Sequence, residues 1–93
     1  MTSKLSRGAI KYGVYTTTSS IVIPANGVND ITIGTITGIG RVLGAFIDNT
    51  NDGVVNLFVQ GAAWYGNLRL NFYNPKSSDI TIPADRNIYY IYV

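Results

Sequence analysis

Residues 67–74 read Asn67-Leu68-Arg69-Leu70-Asn71-Phe72-Tyr73-Asn74, with Leu68, Leu70 and Phe72 on one side and Asn67, Arg69, Asn71 and Tyr73 on the other. Successive side chains of an extended chain point to opposite faces, so this period of two marks a strand with one buried and one solvated face. The competing period is missing: apolar residues nowhere recur at three and four over a dozen positions, and Val, Ile, Thr, Tyr and Gly stand where helix formers would be required. The fold class is all-β.

Toward the C-terminus, Pro75-Lys76-Ser77-Ser78 turns the chain, and residues 79–83 form a short strand with Ile80 and Ile82 inward, closed by Pro83. Ala84-Asp85-Arg86-Asn87 leads into Ile88-Tyr89-Tyr90-Ile91-Tyr92-Val93, which is apolar on both faces. A half-exposed strand would alternate with polar residues, so this one calls for a cover on each side. One cover is expected from the chain itself and the other from a second copy, with Ile88, Tyr90 and Tyr92 assigned to that interface.

Toward the N-terminus, residues 54–60 read as a strand with Val55, Leu57 and Val59 on one side, joined as a hairpin to residues 41–48 through the polar loop Asp48 to Gly53. The long apolar run 41–48 predicts a central strand covered on both faces. Residues 35–40 are a glycine-rich connection, and residues 29–35 a strand with Ile31 and Ile33 inward. Asn26-Gly27 accepts positive φ and predicts a hairpin back to residues 20–24, where Ile21 and Ile23 share a face. Residues 9–15 alternate loosely. Seven to eight short strands with near-zero helix predict an antiparallel β-sandwich of jelly-roll type, a single domain over residues 12–93 preceded by a polar, basic segment 1–11. The stretches "SIVIPANGVNDITIG" and "SSDITIPADRNIYYI" share an Ile-x-Ile-Pro-Ala-Asx element, read as similar hairpin chemistry at two places and not as a repeat.

Composition narrows the function. The chain has 93 residues, no cysteine and no histidine, and its five acidic residues are Asp30, Asp48, Asp52, Asp79 and Asp85. Thiolate and imidazole chemistry are therefore absent, and no pair of aspartates is brought together across a cleft by the strand reading. No enzyme activity, cofactor or metal is expected. The basic residues Lys4, Arg7 and Lys11 cluster at the N-terminus while the body is near neutral, so the broad basic field of a nucleic-acid surface is missing. The first residues lead into no apolar core of a signal peptide, and no stretch is apolar enough for a bilayer-spanning helix. A chain this short leaves much of its surface uncovered, which favours oligomers.

Two local patterns resemble ligand motifs and fail on spacing. Asp48-Asn49-Thr50-Asn51-Asp52-Gly53 has the residue types of a calcium loop, but Thr50 stands at the third position and Val59 where a bidentate Glu closes the cage. Gly38-Ile39-Gly40 lacks the third glycine and the helix of a phosphate cradle. Surface recognition remains. The stretch 60–67 places Trp64 beside Tyr65 among small residues, followed by Asn67, and aromatic faces beside amides suit sugar rings. Trp64, Tyr65, Asn67, Asn51 and Asp52 are the candidate glycan-binding residues; the competing role for Trp64 is a plug at the end of the sandwich or a subunit contact.

In strand order and loop style, "SIVIPANGVNDITIG", "GRVLGAFIDNTNDGVVNLFVQ" and "NLRLNFYNPKSSDITIPADRNIYYIYV" together resemble the C-terminal head domains of bacteriophage tail-fibre and receptor-binding proteins. The resemblance covers residues 20–93. It implies a non-catalytic homotrimer on the virion that binds a host surface glycan or protein, with residues 1–11 similar to a linker to a fibre shaft. Two other expectations stand beside it: a structural virion protein, such as a capsid or tail decoration touching only other virion proteins, and a cellular lectin-like or fimbrial subunit.

Overall fold

The computed structural model describes residues 9–48 and 53–93. Eight strands follow in order: β1 (Lys11–Thr16), β2 (Ile21–Ile23), β3 (Val28–Thr35), β4 (Val42–Ile47), β5 (Phe58–Trp64), β6 (Asn67–Tyr73), β7 (Ile80–Ile82) and β8 (Asn87–Tyr92), with a 3-10 turn at Gly53–Asn56 ahead of β5. All pairings are antiparallel, giving the sheets β1-β8-β4 and β3-β6-β5 and a short β2-β7 pair. The all-β sandwich class read from the alternation is the one observed.

The pairing follows a single scheme. Strands β1, β2 and β3 pair with β8, β7 and β6, and from Lys11 opposite Tyr92 to Thr35 opposite Asn67 the paired residue numbers always sum to between 101 and 103. Backbone bonds bridge the gaps: Thr17 N–H to Arg86 O at 2.9 Å, Asp85 N–H to Thr17 O at 2.8 Å, Asn26 N–H to Lys76 O at 2.9 Å and Asn74 N–H to Gly27 O at 2.9 Å. One two-stranded ribbon thus runs through both ends of the chain. Laid straight it would span roughly 80 Å at about 3.3 Å per residue, whereas the longest dimension of the molecule is 49 Å. The ribbon is therefore folded over, the manoeuvre that makes a jelly roll. Strand β4 joins β8 and strand β5 joins β6, and the two added strands meet where a Cβ on Gly61 would lie 2.6 Å from Val42 Cγ1.

Two buried polar side chains pin the bends. Thr17 donates its hydroxyl to Pro83 O at 2.8 Å and accepts from Arg86 N–H at 2.9 Å. Asn74, fully buried, donates to Ile23 O at 3.1 Å and Ser78 O at 2.8 Å and accepts from Lys76 N–H at 2.8 Å. Around them lies one core of Ile23, Val54, Leu57, Leu68, Leu70, Phe72, Ile80, Ile82, Ile88 and Tyr90.

Several expectations are corrected. Asn26-Gly27 does not close a hairpin, because β2 pairs with β7 and β3 with β6. It forms a corner instead: Gly27 N–H bonds Pro24 O at 3.0 Å and Asn26 takes φ 52°. The shared Ile-x-Ile-Pro-Ala-Asx element has a structural meaning, since its two copies are β2 and β7 themselves, paired Ile21 to Ile82 and Ile23 to Ile80, each followed by a corner whose Asx residue sits at positive φ (Asn26 52°, Asp85 63°). Residues 41–48 supply an edge strand, not a central one. Strand β4 is apolar on both faces because Val42, Ala45 and Ile47 pack on the core while Leu43 and Phe46 stay half exposed. Residues 41–48 and 54–60 do not form the expected hairpin, since β4 pairs with β8 and β5 with β6 in different sheets, and Gly53–Asn56 coils so that Val54, with Leu57, fills the core.

The central strands are β6 and β8. Hence the uncharged ending: β8 lies between β1 and β4, and Val93 is bonded through its N–H to Arg41 O at 3.0 Å and through its carbonyl to the N–H groups of Gly40 and Arg41. Both faces of β8 are apolar as expected, but the face assigned to a second copy is the one that packs inward. Ile88 is 0% and Tyr90 7% exposed, with Tyr92 packed on the same core, so this trio faces the chain's own interior and not a second copy. Tyr90 lies across Gly13 of β1, its register partner, filling the space where a Cβ would be.

Candidate ligand-binding face

The solvated side of residues 67–74 is the centre of a face built by three strands. Because β6 pairs with both β3 and β5, each outward residue of β6 is flanked by two neighbours on the same side. Tyr73 lies between Val28 and Phe58, Asn71 between Asp30 and Gln60, Arg69 between Thr32 and Ala62, and Asn67 between Thr35 and Trp64. From Asn67 to Tyr73 this face runs roughly 20 Å at about 3.3 Å per residue. Aromatic side chains stand at its two ends, and amides, a carboxylate and a guanidinium lie between.

At one end Phe58 stacks on Tyr73 with ring centroids 6.1 Å apart, beside Val28. Val28 and Phe58 are 71% and 65% exposed, more than a side chain whose only role is packing. A shallow groove of about 410 Å³ runs here, lined by Val28, Phe58, Gln60, Asn71 and Tyr73.

At the other end Tyr65-Gly66 forms the two-residue turn between β5 and β6, with φ 50° and 79°. Positive φ at both central residues is the type I′ arrangement that suits a tight hairpin, and its first position normally carries Asn, Asp or Gly. Tyrosine there is strained by about 1–3 kcal/mol. The turn presents Tyr65 with 88% exposure, edge-on to Trp64 at 5.0 Å. Asn67 accepts from the Thr35 hydroxyl at 3.0 Å, which fixes its amide. The guanidinium of Arg69 lies over the Trp64 ring at 5.1 Å, and its nearest carboxylate, Asp30, is 3.9 Å away.

Of the residues picked from the sequence, Trp64, Tyr65 and Asn67 are together at this end, and Trp64 is a half-exposed strand residue and not a plug in the sandwich. Asn51 and Asp52 lie outside the described residues. Sequence reasoning missed Val28, Asp30, Phe58, Gln60, Arg69, Asn71 and Tyr73. Four strictly alternating outward residues of β6 were visible, but which residues flank them depends on register with strands about 10 and 40 positions away.

The opposite sheet has an outer face of different chemistry. Ile10, Tyr12, Phe46, Tyr89 and Ile91 line an apolar groove of about 260 Å³, with Tyr12 77% and Phe46 51% exposed. Beneath it, burial first and then neighbouring Tyr92 raise the Tyr90 pKa above the usual 10.0. Among the described residues no three His, Cys, Asp or Glu side chains gather as a metal site, and no helix is long and apolar enough to cross a membrane. No family model, curated protein or solved structure matches this chain.

Proposed function

We propose that this chain is a non-enzymatic virion module of the tail-fibre-tip kind, which recognises a host surface glycan as a homotrimer. One observation carries the reading: the outer face of β3-β6-β5 sets Trp64, Tyr65, Phe58 and Tyr73 around Asn67, Asn71 and Gln60. Aromatic faces take the C–H faces of sugar rings and amides take their hydroxyls, and an exposed face that offers both is suited to carbohydrate. The apolar face of β1-β8-β4 supports self-association, which would cover Tyr12 and Phe46 and multiply weak sugar contacts through avidity.

A glycan array tests it. Binding is expected to be lost in Trp64→Ala and kept in Lys76→Ala, at the far bend of the ribbon. Retention of binding in Trp64→Ala would overturn the site. Absence of binding to every glycan would favour the second reading, a capsid or tail decoration that meets only other virion proteins, to which the high exposure of Val28 and Phe58 also points.

A further inference from the structure

Arg69 is the residue on this face that a neutral sugar does not explain. Its guanidinium has five N–H donors in a planar fork. Among the described residues none of them has a hydrogen-bond acceptor: Asp30 at 3.9 Å is beyond bonding distance, and Nε is buried without a partner. The group is nevertheless held, lying over Trp64 at 5.1 Å and flanked across the strands by Thr32 and Ala62, neither of which carries a charge. A guanidinium oriented by an aromatic ring, with its side chain 37% exposed and its donors unused, is prepared for a planar anion that accepts two parallel bonds. On the carbohydrate reading the amides of Asn67, Asn71 and Gln60 suffice for hydroxyls, and the fork is surplus to a neutral chain.

We infer that the β3-β6-β5 face takes an acidic oligosaccharide, lying along β6, with the carboxylate of one sugar on the Arg69 guanidinium beside Trp64. This rests on the carbohydrate reading above and adds the charge of the ligand to it. Asp30 then has a second role: its carboxylate, 51% exposed and 3.9 Å from Arg69, competes with the ligand's own and tempers affinity. Sugars one row along meet Asn71 and Gln60, and the far end of the chain reaches Tyr73 and Phe58.

The test pairs uronic- and sialic-acid oligosaccharides with their carboxyl-reduced counterparts and measures binding of each to the full chain by titration calorimetry. The acidic member is expected to bind roughly tenfold or more tightly, the value of a hydrogen bond to a charged group. Arg69→Gln should erase that difference, and Arg69→Lys should restore only part of it, because an ammonium is no fork. Asp30→Asn should tighten the acidic ligand several-fold and leave the reduced one unchanged, a result that loss of folding cannot mimic. Equal affinity for both members, or discrimination that survives Arg69→Gln, overturns the inference while the carbohydrate reading stands. Failure of every acidic and neutral sugar to bind overturns both.

Discussion

Replacing Asn74 by alanine removes the side chain that holds one of the ribbon's two bends. Three hydrogen bonds go at once, those to Ile23 O, Ser78 O and from Lys76 N–H, all around a residue with no exposed surface. Each net bond is worth about 1 kcal/mol, and a buried partner left unsatisfied costs about 1–3 kcal/mol. The Ile23 carbonyl is the most enclosed of the three and cannot turn to water, whereas Lys76 and Ser78 lie in the exposed turn and partly recover by hydration. The expected loss is about 3–4 kcal/mol, against a total stability of about 5–14 kcal/mol for a chain of this length. Thermal unfolding followed by circular dichroism should show a Tm lower by about 12–30 °C. Asn74→Asp recovers little, since it offers the Ile23 and Ser78 carbonyls an acceptor where they need a donor. Asn71→Ala, three residues away on the outer face, should stay within about 0.5 kcal/mol of wild type. A loss below about 1 kcal/mol in Asn74→Ala would mean that the bend is not held by this side chain, and the account of the folded ribbon would have to change.

Gly13→Ala sets two effects against each other: it stiffens the unfolded chain by about 0.4–1 kcal/mol but drives a methyl into the Tyr90 ring, for about 1–3 kcal/mol of strain, so urea titration should show net destabilisation. Because the Tyr90 pKa is raised on folding, the stabilisation it carries is complete below the unfolded value of 10.0 and is lost as pH climbs through the folded one; urea midpoints should fall more steeply above pH 10 in wild type than in Tyr90→Phe. Sedimentation velocity at micromolar concentration should give a trimer for wild type and a monomer for Tyr12→Lys/Phe46→Lys, and a monomeric wild type would refute self-association through this face.

How much of this could be read from the residues depends on whether local pattern or distant pairing decides the question. Strand β6 was fully legible, because Leu68, Leu70 and Phe72 are buried by a face that the strand's own alternation defines. The same holds for Ile23 and Ile82, which stand next to prolines that close their strands. Strand β4 was misplaced because a run apolar on both faces looks the same whether its outer face meets a neighbouring strand layer or forms part of an exposed apolar surface. Asn26-Gly27 carried hairpin chemistry, yet positive φ serves a corner as well as a hairpin, and only the distant pairing partner tells them apart. The candidate site divides in the same way. Trp64 and Tyr65 announced themselves by composition, whereas the stacking of Arg69 on Trp64 arises across a two-residue turn whose form, with Tyr65 at φ 50°, no local rule favours.

The doubled ribbon also sets a timetable. Since β1, β2 and β3 pair in turn with β8, β7 and β6, β3 finds its mate first and β1 last as the chain is made. At 5–20 residues per second Lys11 waits on the order of ten seconds for Tyr92. Such high contact order slows folding into the millisecond-to-second range even after release. Over that interval the edges of β1 and β2 stand unpaired, a template for another nascent strand or a holdase chaperone.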